Sequence, residues 1–328
     1  MIQSRDHGDA GMNMLDSCFQ LFQQARFVLA LAVFRIRPDV FWPYSSGIVF
    51  LVIGLTKIVK DELPRKHGLD KTVPFGPLFY ALPMGVFATQ HFTNTKLVAS
   101  IVPSWMPLHT FWVYFVGIAI IAAVLSILLD IQARLAATLL GCMFFLFVVS
   151  MHIPNIVAAH GSLLFWTIAL RDLAFSGGAF ALAATQSKKT PSNGAPGLLT
   201  LCRFFVGLPA IVFGLDHFLH PTLAPGIPME AITPAWIPGH LFWAYLTGAA
   251  LIACGACIVV NKNVRLAATY LGIVILLLGA FVYLPMIVAN PSDIDSGLNN
   301  FVDILALTGT AMVLADAISE RTIHEAST

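Results

Sequence analysis

The chain has 328 residues, 58% of them apolar and 11% charged, against averages of about 45–50% and about 25% in soluble domains. Its formal charge of +1 offers nucleic acid no field. Its five cysteines (Cys18, Cys142, Cys202, Cys254, Cys257) lie in or beside apolar segments, not in an extracellular disulfide framework. The uncharged runs are long enough to cross a bilayer, which takes roughly 17–25 residues per helix. Composition therefore predicts an all-α polytopic membrane protein.

Residues 1–75 form an N-terminal region of their own. The start is polar, with Asp6, Asp9 and Asp16 and no basic stretch leading into an apolar core, so it does not read as a cleavable signal peptide. Residues 12–36 read as a basic amphipathic helix on a membrane face. Residues 39–59 are apolar enough for an extra span. That span would leave Arg26, Arg35 and Arg37 outside, against the charge rule, so a re-entrant or interfacial segment is the alternative. Apolar length favours the span.

From residue 76 onward, helices are expected near 76–92, 109–129, 134–155 and 163–184 in a first unit (76–186). After a linker at 187–198, they are expected near 199–218, 240–260, 265–289 and 299–318 in a second (199–328). Pro103, Pro107, Pro234 and Pro238 mark breaks, as do the polar clusters around Asp130, Asn261 and Asn290. Pro83 and Pro209 lie inside the first helix of each unit and predict a kink.

The two units are copies. Pro103-Ser-Trp-Met-Pro-Leu-His109-Thr-Phe-Trp112-Val-Tyr114 returns as Pro234-Ala-Trp-Ile-Pro-Gly-His240-Leu-Phe-Trp243-Ala-Tyr245, 131 residues on. Arg134-Leu-Ala-Ala-Thr138 returns as Arg265-Leu-Ala-Ala-Thr269, Pro154 as Pro285 and Asp172 as Asp303. Upstream, Leu82-Pro83 and His91-Phe92 match Leu208-Pro209 and His217-Phe218 at an offset of 126. The five-residue difference falls in the polar connection from Pro221 to Thr233, where a loop absorbs it without rotating a buried helix face.

Alternate connections separate the charges. One set holds Lys57, Lys60, Arg65, Lys66, Lys71, Arg134, Lys188, Lys189, Lys262, Arg265 and Arg321, while the other holds Lys96. The positive-inside rule puts the first set in the cytoplasm. Four spans per copy, an even number, make the copies parallel repeats. Trp105, Trp112, Trp236 and Trp243 then gather at the outer interface. The expected architecture is two parallel four-helix bundles in a bacterial inner membrane, with the C-terminus cytoplasmic.

Seven of the ten histidines fall toward the outer side: His91, His109, His152, His160, His217, His220 and His240. Histidine carries protons and binds ligands near neutral pH, but it also caps helix ends at interfaces. For His109 and His240 the two readings weigh equally, and for His91 and His217 the functional one is favoured. Deeper in, Arg171 and Asp172 lie about a third of the way into a span, and Asp303 matches Asp172. A charge there costs at least about 2.5–3.5 kcal/mol and calls for a partner or a wet cavity. A structural pair, Arg171 with Asp172 or a contact to a histidine, weighs equally with a site. His152 and Arg171 have no like residue in the second copy, where Tyr283 and Val302 stand. If one bundle is active, the first is the better candidate. Cys254-Gly-Ala-Cys257 reads as a small-residue packing seam rather than a redox pair. No four-residue metal spacing appears, so no metal ligands are assigned.

These residues resemble the DoxX-like family of four-helix membrane proteins. The resemblance rests on the proline-bearing first helix ending in His91-Phe92 or His217-Phe218 and on the Pro-x-Trp-x-Pro-x-His-x-Phe-Trp-x-Tyr lead-in. It also rests on the terminal Arg171-Asp-Leu-Ala-Phe-Ser-Gly177-Gly178, weaker as Val302-Asp-Ile-Leu-Ala-Leu-Thr-Gly309. It covers 76–184 and 199–318 and implies a redox-associated role, with quinone as a candidate ligand and with the lipid bilayer and a soluble oxidoreductase subunit as partners. The family offers no settled catalytic residues, and the tandem form departs from its usual single module. The leading expectation is a quinone-like amphipathic ligand in the outer half of a bundle. Its contacts would come from His91, His109, His152, Arg171 and Asp172, or from His217, His240 and Asp303 in the second copy. A non-catalytic scaffold or partner subunit is the alternative, with a small-solute transporter third. Whether the protein is an enzyme is left open.

Overall fold

A computed structural model describes residues 36–63, 68–159, 161–186, 196–222 and 233–327. The amphipathic helix expected at 12–36, Cys18, His160, Lys188 and Lys189 and most of the 221–233 connection lie outside the described residues. Every long element among the described residues is helical. These are α1 (Pro38–Lys57), α2 (Gly76–Thr93), α3 (Thr95–Ile101), α4 (His109–Leu129), α5 (Ala133–Phe147) and α6 (Ile153–Ala158). They continue as α7 (Leu163–Gln186), α8 (Pro196–Leu219), α9 (His240–Val259), α10 (Val264–Leu278), α11 (Leu284–Ala289) and α12 (Asn299–Ser327). Among the described residues, eight helices are long and apolar enough to cross a membrane, so the chain is an all-α polytopic membrane protein.

Three local features follow from sequence. The segment Ile153-Pro154 is preceded by a π turn, Val148–His152, that joins α5 to α6, and Leu284-Pro285 by another, Gly279–Tyr283, that joins α10 to α11. Proline has no N–H to give the carbonyl four residues back. The chain widens instead, with Ile153 N–H donating to Val148 O and Leu284 N–H to Gly279 O. Second, α2 and α8 run continuously through Pro83 and Pro209. Third, left-handed backbone recurs at matched places: Leu108 and Gly239 before α4 and α9, then Asp130 with Asn261 and Gln132 with Asn263.

Leu108 holds φ 57° where the second unit uses Gly239 at φ 69°. A side chain in that region costs roughly 1–2 kcal/mol, and glycine adopts it freely. Leu108→Gly should therefore stabilise the protein by up to about 1 kcal/mol, because added unfolded-state freedom offsets part of the relief. Gly239→Leu should destabilise it by about as much. Thermal unfolding in detergent checks both.

The expected helices form a single body. Successive helices α2, α4, α5, α7, α8, α9, α10 and α12 pack in turn, α12 closes on α2, and α7 meets α12 across the middle. The first helix of each unit thus lies against the other unit's last helix: α2 on α12, α8 on α7. Contacts at Arg171–Asp303 and Gly178–Thr310 show α7 and α12 running side by side in the same direction. At the seam of α12 and α2, a Cβ on Gly309 would stand 2.3 Å from Tyr80 N. Backbones meet there because glycine leaves them room.

Helix α2 is less apolar than its neighbours, but ten of its 18 residues are buried, so protein rather than lipid surrounds it. α1 lies antiparallel along it, with Gly47 by Val86 and Gly54 by Leu78, and Tyr44 Oη donates to Pro291 O at 2.9 Å. Helix α1 therefore runs along α2, and it is one of the helices long and apolar enough to cross a membrane. Its 20 residues cover about 30 Å.

Candidate functional site

Arg171 stands eight residues into α7, about 12 Å along its axis. Neighbouring residues on a helix point about 100° apart, so Arg171 and Asp172 face different partners. Asp172 turns to the π turn after α5, where His152 Nε2 donates to its Oδ2 at 2.8 Å. Arg171 turns to α12, where its Nη1 donates to Asp303 Oδ2 at 2.8 Å, while its Nε reaches back to Asp172 Oδ1 at 3.1 Å. The guanidinium also lies 5.7 Å from the centre of the Phe175 ring, a cation–π distance. The result is one chain of polar contacts, His152–Asp172–Arg171–Asp303, crossing from the first unit to the second.

Position in the fold determines access. The side chains of His152 and Asp172 are 10% and 7% exposed, those of Arg171 and Asp303 27% and 17%. The Arg171–Asp303 end is thus the open end. Two carboxylates and one guanidinium sum to −1, and a buried cluster is cheapest when neutral. One further proton within the network would balance it. The two termini of the network differ: His152 Nε2 is bonded to Asp172, whereas Asp303 Oδ1 is buried without a hydrogen-bond partner. Tyr283 is buried at the position matching His152.

Four of the eight residues singled out from sequence, His152, Arg171, Asp172 and Asp303, are brought together. The structural pair and the histidine contact both occur, with Asp303 added. The cluster belongs to both units rather than to the first bundle alone. The other four stand elsewhere. His91 and His217 donate from Nδ1 to Phe87 O and Phe213 O of their own helices, at 2.8 and 2.7 Å, and wedge against Gly117 and Gly248. His109 and His240 open α4 and α9 and are half-buried. Local backbone captures the His91 and His217 rings, and none of the four joins the cluster.

Sequence reasoning overlooked the polar approach. Asn299 lies one helical turn before Asp303, and Gln90 Nε2 on α2 donates to its Oδ1 at 2.6 Å. Asn300, three residues before Asp303, donates to Ser296 O. The spacing Ser296, Asn299/Asn300, Asp303 was a readable one-face stripe. Tyr80 was also passed over: fully buried on α2, it donates to Phe175 O at 2.8 Å, beside the cluster. Gly255, between Cys254 and Cys257, approaches the α8 backbone at Gly207 O, in keeping with a packing seam. No group of three or more metal-ligating side chains occurs among the described residues.

Residues 80–170 match the model of a family described as a domain of unknown function, DUF8561. The match runs from α2 to the residue before Arg171, within the first unit, and so covers less than a third of the chain. That description is not the DoxX-like family, so the resemblance stands on the quoted motifs alone. No curated protein and no solved structure matches the chain.

Proposed function

We propose that this membrane protein binds a lipid-soluble, proton-exchanging ligand of the quinone class at the seam of α7 and α12, in a redox-associated role. The observation that carries the reading is the asymmetric network. Arg171 is held between two carboxylates, His152 closes one end, and Asp303 Oδ1 waits unpartnered at the more exposed end. A buried acceptor without a partner costs about 1–3 kcal/mol, and a ligand hydroxyl would relieve that cost. Arg171 offers positive charge to a ligand carbonyl, and His152 with Asp172 can hold or return a proton.

The charge distribution supports an outer location for this seam, in a bacterial inner membrane with the C-terminus cytoplasmic. The Ser296–Asn299–Asp303 stripe then opens outward. The DoxX-like motifs support a tandem duplication and a soluble oxidoreductase partner as the electron source. The binding test uses decylubiquinol, kept reduced so that its hydroxyl can donate to Asp303, with purified protein. Asp303→Asn should weaken binding at least about tenfold, the loss of one good polar contact, and His152→Gln, which removes the proton holder behind Asp172, should weaken it too. Unchanged affinity in both would remove the site.

A scaffold is the second reading, favoured because Arg171 already engages both carboxylates and ties the two units together. It requires that decylubiquinol not bind the wild type at all.

A further inference from the structure

A cavity elsewhere in the protein has no part in that network. It measures about 470 Å³ and lies between α9 and α10, under the loop that precedes α9. Ala244, Thr247, Val274, Leu278 and Val282 contribute walls and floor, and Trp236 leans toward Phe281 at its rim, with ring centres 6.2 Å apart. None of its lining residues is charged, and Thr233 and Thr247 provide the only polar side chains apart from the indole N–H of Trp236 and Trp243. The Trp243 N–H is already donated to Pro238 O.

The first unit lines the corresponding place differently. At the matching positions, 131 residues earlier, Ala244 is replaced by Val113, Thr247 by Val116, Val274 by Met143 and Leu278 by Phe147. Val113 is buried, and Val116, Met143 and Phe147 pack on the core. The corresponding pair, α4 and α5, thus carries bulkier side chains at three of these four positions, packed into the protein. Leaving the α9/α10 cavity empty forfeits dispersion contacts, and water would need two to four polar partners that this lining does not supply. A partner helix is also a poor occupant. Close helix approach uses small residues, whereas this rim presents Trp236, Trp243, Leu246, Leu277 and Phe281.

We infer that the α9/α10 cavity is a binding site for one acyl chain of a membrane phospholipid, held beyond the exchanging lipid annulus. A flexible, uncharged chain meets the shape and chemistry of the walls, and its headgroup stays at the Thr233–Trp236 end.

The test adds a phosphatidylcholine bearing one cis-parinaroyl chain to delipidated protein in detergent and follows energy transfer from tryptophan. Wild type should bind one equivalent saturably, and unlabelled phosphatidylcholine should displace it. Ala244→Val/Thr247→Val/Leu278→Phe, which copies the first unit, should weaken binding at least tenfold. The reverse exchange, Val113→Ala/Val116→Thr/Phe147→Leu, should create a second equivalent, so the result does not rest on one variant's folding. Wild-type binding in the filled variant would overturn the site. Displacement by decylubiquinone but not by phosphatidylcholine would overturn the lipid assignment in favour of a quinone tail.

Discussion

Arg171→Met should destabilise the protein by about 3–5 kcal/mol, the cost of removing one partner from a buried ion pair and stranding the other. Here two carboxylates would be stranded, Asp172 at 7% and Asp303 at 17% side-chain exposure. Arg171 donates to both, and His152 alone would remain to compensate Asp172. The loss should be a charge effect rather than a packing effect, since Met retains an unbranched apolar stem. Adding Asp172→Asn and Asp303→Asn to Arg171→Met should therefore recover most of the stability, because no unpaired charge is left to bury. Unfolding in mixed micelles measures all three states. A single variant as stable as wild type would show that the network does not hold the two units together. An equally unstable triple variant would place the loss in packing.

The other large effect is expected at Gly309. Any Cβ there meets the α2 backbone, with Tyr80 N at 2.3 Å and the Phe79 carbonyl carbon at 2.5 Å. Backbone cannot swing aside as a side chain can, so α12 and α2 must part. Gly309→Leu should cost about 3 kcal/mol or more, at the upper end of overpacking. It should also disturb the network, because Asp303 and Gly309 share α12. Gly161→Leu is the control, since nothing lies within 4 Å of a Cβ built there. Thermal unfolding should separate the two variants clearly; equal midpoints would refute the tight seam.

Some of this organisation was legible from individual residues. Pro103, Pro107, Pro234 and Pro238 placed the starts of α4 and α9, and Arg134 and Arg265 marked the starts of α5 and α10. Arg171, Asp172 and Asp303 drew attention because a charge inside a span needs a reason to be there. His91 and His217 drew it for weaker cause. The sequence shows that a ring is present but not that a carbonyl four residues back has already taken its N–H. Pro154 and Pro285 were visible as shared residues, while their effect, a π turn ending in His152 or Tyr283, depends on hydrogen bonds that the sequence does not display.

By itself the sequence determined the class and the local elements: apolar length, helix breaks, and where buried charge demands a partner. These are short-range consequences of backbone hydrogen bonding and solvent transfer, so they are written into each segment. Only the tertiary structure decided which partner meets which charge. Arg171 joins Asp172 and Asp303 because α7 and α12, 131 residues apart in register, lie side by side at the centre of the ring. That pairing depends on the exchange of first helices between the two units, α2 onto α12 and α8 onto α7. The choice between an exchanged and a self-contained arrangement is made by packing between distant segments, and no single segment's apolar pattern encodes it.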